Sequence, residues 1–74
     1  GILNFTSADL SHSVIMTSDF SEAIFVNTKL TGSIIKDGIF DNSDFSGANM
    51  DGLTYSNTQF YGSIEPPKTH KNKQ

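Results

Sequence analysis

Few side chains in this sequence could carry chemistry. They are His12 and His70, the neighbouring carboxylates Asp41, Asp44 and Asp51, and the glycines Gly32, Gly47, Gly52 and Gly62. A carboxylate pair does acid–base work when both groups share a pocket that pulls their pKa values apart. A histidine needs a second ligand or an acid beside it before it holds a metal or relays a proton. Glycines cradle a phosphate when they form a loop that opens a helix. The sequence has no cysteine, so disulfides and thiolate ligation are excluded and the redox compartment is left open. Asn4-Phe5-Thr6 spells a glycosylation acceptor, read here as a chance product of local Asn and Thr preferences. Whether any of these groups meet depends on the elements that position them.

Those elements are set by one period. Every fifth residue is bulky and apolar: Phe5, Leu10, Ile15, Phe20, Phe25, Leu30, Ile35, Phe40, Phe45, Met50, Tyr55 and Phe60. Neither a 3.6-residue helix nor a two-residue strand keeps such a series on one face. Two places before each bulky residue stands a small one, as at Ala8, Ser13, Ser18, Ala23, Thr28, Ser33, Gly38, Ser43, Ala48 and Thr58; Leu3 and Leu53 are the exceptions. A large and a small side chain thus alternate inward within each unit. The bulky residues also recur at twenty, as in Phe5, Phe25 and Phe45, or Phe20, Phe40 and Phe60. Internal repetition of this kind dictates the fold.

Segments such as Ala8-Asp9-Leu10-Ser11, Ser18-Asp19-Phe20-Ser21, Ser43-Asp44-Phe45-Ser46 and Ala48-Asn49-Met50-Asp51 resemble the pentapeptide-repeat family. The family's unit is a small residue, Asp or Asn, Leu or Phe, and two variable positions. The resemblance covers about residues 3–62. It implies an all-β fold, a right-handed quadrilateral parallel β-helix, here of about three four-sided coils. At ~4.8 Å per coil the stack is about 14 Å tall. The twenty-residue likeness suits a chain turning four corners per coil, each side chain stacking on its equivalent one coil above.

That frame separates the candidate groups. His12 falls at a corner aligned with Gly32 and Gly52, with no second ligand or acid stacked on it, and His70 lies in a polar tail. Asp41, Asp44 and Asp51 point outward on different faces. The four glycines each follow a bulky residue by two and are corner residues. The expectation is a protein that is not an enzyme and takes no cofactor or metal. Residues 1–65 form the repeat and residues 66–74 a Pro/Lys-rich tail, with Pro66-Pro67 expected to stop strand addition. The sequence begins inside the repeat, so either this is a piece of a longer repeat protein or its uncapped first coil docks on something. The docking reading is the one preferred. No stretch approaches the ~18 apolar residues of a membrane span, and no signal or transit peptide is visible.

Charge is split along the chain. All eight carboxylates lie in residues 1–65 against Lys29 and Lys36, a net −6, while Lys68, Lys71 and Lys73 give the tail +3. A basic tail on an acidic body fits an acidic partner, a fold-back onto the body, or a plain solvated terminus. The outward slot before each bulky residue departs from Asp or Asn in the middle coil, which has Ile24, Lys29, Ile34 and Ile39, with Val26 also outward. Val14 and Ile34 should stack on one face with Met16 beside Val14. Such a patch marks a protein contact, or simply reflects the preference of β-branched residues for strands.

The expected function is a non-catalytic interaction module or small accessory subunit of a larger assembly. Its docking residues would be Val14, Met16, Ile24, Val26, Ile34, Ile39, Lys68, Lys71 and Lys73, together with the uncapped end coil. The expected partners are proteins, without direct nucleic-acid binding and without membrane insertion. The family resemblance implies two alternatives. One is an acidic DNA mimic acting on a type II topoisomerase, DNA gyrase; a 14 Å prism could imitate only a few base pairs, since duplex carries a charge about every 1.7 Å. The other is a structural stem from a longer protein such as a bacterial effector. By the same resemblance, the bacterial cytoplasm or the chloroplast thylakoid lumen is the leading compartment.

Overall fold

The computed structural model describes residues 2–68, which leaves Lys71, Lys73 and His70 outside the described residues. The fold is all β, with no helix among those residues. Three short strands, β1 (Val14–Met16), β2 (Ile34–Lys36) and β3 (Thr54–Ser56), form one parallel sheet in the order β1-β2-β3. Val14 pairs with Ile34, and Ile34 with Thr54, so partners lie twenty residues apart. Isolated parallel bridges repeat that offset in three more rows: Asn4–Ile24–Asp44–Ile64, Asp9–Lys29–Asn49 and Asp19–Ile39–Gln59. The twenty-residue likeness of the sequence is thus a pairing register.

Each five-residue unit bonds to the tier on either side. The amide of the bulky residue donates forward, as from Phe5 to the Ile24 carbonyl (2.7 Å), and the amide of Ile24 donates back to the Leu3 carbonyl (2.9 Å). The bulky residue's carbonyl then closes a tight turn, accepting from Ala8 at 2.9 Å. Two residues after each bulky one the backbone is left-handed throughout, for example at Ser7 (φ 61), His12 (φ 57), Glu22 (φ 66) and Gly47 (φ 72). That geometry aims the corner amide at the next tier, as from Ser7 to the Val26 carbonyl at 2.9 Å.

In chain order the β1-β2-β3 row is the third of the four, and it runs straighter than the others for a local reason. Elsewhere, Asn4, Asp9, Asp19, Asp44 and Asn49 accept the amide two residues on, which holds the backbone in a turn. Val14 and Ile34 have no side-chain acceptor for that amide, a threonine hydroxyl such as that of Thr54 accepts it only weakly, and all three residues favour extended backbone. At the following corner the Ser18 hydroxyl donates to the Met16 carbonyl (2.7 Å), and Thr58 to Ser56 (2.8 Å).

The core is the stack of bulky residues. Phe25, Leu30, Ile35, Phe40 and Phe45 are buried; Phe5, Leu10, Ile15, Phe20, Met50, Tyr55 and Phe60 are partly buried against them. Two columns of rings run through it. Phe25 lies 4.9 Å from Phe45 at 5° and 5.1 Å from Phe5, while Phe40 stacks on Phe20 at 5.1 Å and Phe60 at 5.4 Å. The columns touch edge to face, as between Phe5 and Phe20. The small slots hold buried hydroxyls that find carbonyls: Thr28 donates to Phe5, Ser33 to Leu10 and Ser43 to Phe40. No buried side-chain polar atom among the described residues lacks a partner.

The repeat stops on three successive residues. By register Glu65, Pro66 and Pro67 stand over Phe45, Ser46 and Gly47, where the pattern has a bulky side chain, a linking residue, and a corner with a positive φ whose amide bonds the next tier. Glutamate does not fill the first role, and proline, with its φ fixed negative and no N–H, cannot fill the corner. The Gly47 amide donates instead to the Glu65 carboxylate at 3.3 Å, and Pro67 is buried.

Candidate functional site

The carboxylates are placed by the turns they hold. Asp9, Asp19 and Asp44 each accept the amide of the serine two residues on, at 2.9–3.0 Å. Hydroxyls from Ser11, Ser21 and Ser46, and then those amides, hold all three below the ordinary carboxylate value. Lys29 adds to the effect at Asp9, 3.9 Å away. Asp41 accepts from the Tyr61 amide and the Gln59 side chain, both at 3.0 Å, and Asp37 accepts from Asn57 at 2.8 Å. These are structural assignments of single carboxylates, and each sits in its own turn. His12 is exposed, its ring over Gly32, where an added Cβ would meet Nδ1 at 2.6 Å. No group of three metal-ligating side chains forms among the described residues. An open depression at the far end is lined by Tyr55, Ser56, Asn57, Thr58, Gln59 and Tyr61, with no carboxylate in its lining.

The apolar candidates separate into rows. Val14 (61% exposed), Met16 (50%) and Ile34 (40%) come together on the outer face of the β1-β2-β3 sheet. Ile24 and Val26 are half-buried on the row between Asn4 and Asp44, and Ile39 stands on the row between Asp19 and Gln59. The sheet therefore groups Val14, Met16 and Ile34 and sets Ile24, Val26 and Ile39 on other sides. Lys68 is exposed beyond the repeat, and Lys71 and Lys73 lie outside the described residues.

A model of pentapeptide repeats, in eight copies, matches residues 3–37. The chain belongs to the pentapeptide-repeat family. No curated protein matches it significantly. The five-residue register runs on past the matched stretch to Phe60, and the second half of the pentapeptide repeat bonds by the same rule as the first.

Within the pentapeptide units the third row is unusual in charge. Its six outward residues are Val14, Met16, Ile34, Lys36, Thr54 and Ser56, and none is a carboxylate. Each other row carries at least one: Asp44 on the first, Asp9 and Asp51 on the second, Asp19 and Asp41 on the fourth. Residue-by-residue reading of the repeat missed Lys36 as part of this surface. The signal was available in its position directly after Ile35, one tier from Met16.

Proposed function

We propose that this pentapeptide-repeat chain is a non-catalytic protein–protein interaction module, an accessory part of a larger assembly, built as a right-handed quadrilateral β-helix of three turns. The four bridged rows at an offset of twenty support that architecture, one row for each side. The functional reading rests on one observation, the exposed apolar patch of Val14, Met16 and Ile34 on a straight, carboxylate-free side. Water-facing apolar clusters on a small body favour burial against a partner. Catalysis has no comparable support, because each of Asp9, Asp19 and Asp44 is engaged in its own turn. The DNA-mimic alternative gains less, since the carboxylates of the rows fall on the first, second and fourth and leave the third side bare of them.

The test is the native mass of the protein in extracts of its source, by light scattering after mild purification. The module reading expects a defined complex far larger than one chain. It also expects that complex to be lost when Val14→Lys and Ile34→Lys are combined in a chain whose circular dichroism is unchanged. A free monomer in the source extract overturns it.

A further inference from the structure

We infer that the third side takes a short acidic segment of a partner protein, its apolar residues seated on Val14, Met16 and Ile34 and a bordering carboxylate paired with Lys36. This rests on the interaction-module reading and names the chemistry of the partner. Two cations stand on the body, and they are differently engaged. Lys29 has Asp9 at 3.9 Å. Lys36 is exposed, and no carboxylate among the described residues lies within ion-pair distance of it. Its chain neighbour Asp37 accepts a hydrogen bond from Asn57 at 2.8 Å instead. An apolar surface carrying one uncommitted cation selects a ligand that offers the opposite charge beside its own apolar face.

A second copy of this chain fits less well. Three strands at ~4.8 Å by three residues at ~3.3 Å make a footprint of about 150 Å². A stable dimer needs about 800 Å² from each partner. Pairing the same side of two copies would also place two Lys36 side chains in one small interface whose outward residues include no carboxylate to pair with them. The footprint suits a short segment bound transiently, with charge deciding which segment is accepted.

The experiment titrates the isotopically labelled full chain with three short synthetic peptides and follows backbone amide shifts. The peptides share one apolar face and are bordered by Glu, by Gln or by Lys. The expected result is movement of the amides of residues 14–16 and 34–36. The Glu peptide should bind about two- to fivefold more tightly than the Gln peptide, the gain of an exposed ion pair, and the Lys peptide most weakly. Lys36→Glu should invert that order, and Met16→Gln should weaken all three. Equal binding of the three peptides, or an order that Lys36→Glu leaves unchanged, overturns the acidic-partner inference while the module reading stands. Shifts that grow with chain concentration alone assign the side to a second copy and overturn it too. No movement on this side with any peptide counts against both readings.

Discussion

Gly38 lies so close to the Phe40 ring that a Cβ on it would stand 2.7 Å from Phe40 Cε1. The same slot one tier away holds Ser18 or Thr58, whose bulky neighbours Phe20 and Phe60 are only partly buried. Phe40 is fully buried, so a shift of its ring must displace packed neighbours. Gly38→Ala should therefore destabilise the fold by about 1–3 kcal/mol through overpacking. Urea unfolding measures this. An unchanged midpoint would show that the ring can move aside.

The Phe25 ring sits between Phe5 and Phe45 in one column and touches Phe20 and Phe40 in the other. Phe25→Ala leaves a cavity in the centre and should cost about 3–5 kcal/mol. Against the small total stability of a domain this size, that is enough to unfold the chain at room temperature. Phe20→Ala, on a partly buried ring, should cost less. Thermal melts by circular dichroism rank the two, and the reverse order would sink the account of the core.

Asp9, Asp19 and Asp44 are held below the ordinary value of 3.8, first by serine hydroxyls and then by backbone amides. A carboxyl with a depressed folded pKa contributes stability that is present above its unfolded pKa and lost as pH falls through the folded one. The unfolding midpoint should stay level from neutral pH down to about pH 4 and decline below it. Replacing all three with Asn should flatten the decline and preserve the turns, because Asn4 and Asn49 already accept the same amide bond. A decline unchanged in the triple variant would place the acid sensitivity elsewhere.

Ile34 faces outward in β2 and pairs with Thr54, a residue of the opposite polarity in the same slot. Ile34→Thr keeps a β-branched side chain there. Stability should change by no more than about 0.5 kcal/mol, and binding through the third side should fall. A large loss of stability in chemical denaturation would make Ile34 a structural residue and remove it from the docking surface.

The inward series was legible because side-chain volume and spacing are properties of the sequence alone. All twelve residues from Phe5 to Phe60 face the core in the order the period demanded. The stop at Glu65-Pro66-Pro67 was half legible. Proline's missing donor predicts an end, but the Gly47 amide finding the Glu65 carboxylate needed the register. The outward apolar residues were legible as types and not as a surface. Ile24 and Ile34 look equivalent in sequence, yet one is half-buried between Asn4 and Asp44 and the other stands beside Val14.

By itself the sequence determined the period, the inward residues and the pairing of like with like at twenty, since only that offset stacks Phe on Phe and small on small. The tertiary structure decided the conformation of the corners. Ser7, Thr17 and Glu22 adopt the left-handed backbone that Gly32, Gly47 and Gly52 adopt, though nothing in those residue types asks for it. It also decided that Val14, Met16, Ile34 and Lys36 share a side without carboxylates. The physical reason is one of range. Volume and polarity act residue by residue, whereas a corner's geometry is imposed by hydrogen bonds to the tier above, as from His12 to Thr31 at 2.8 Å.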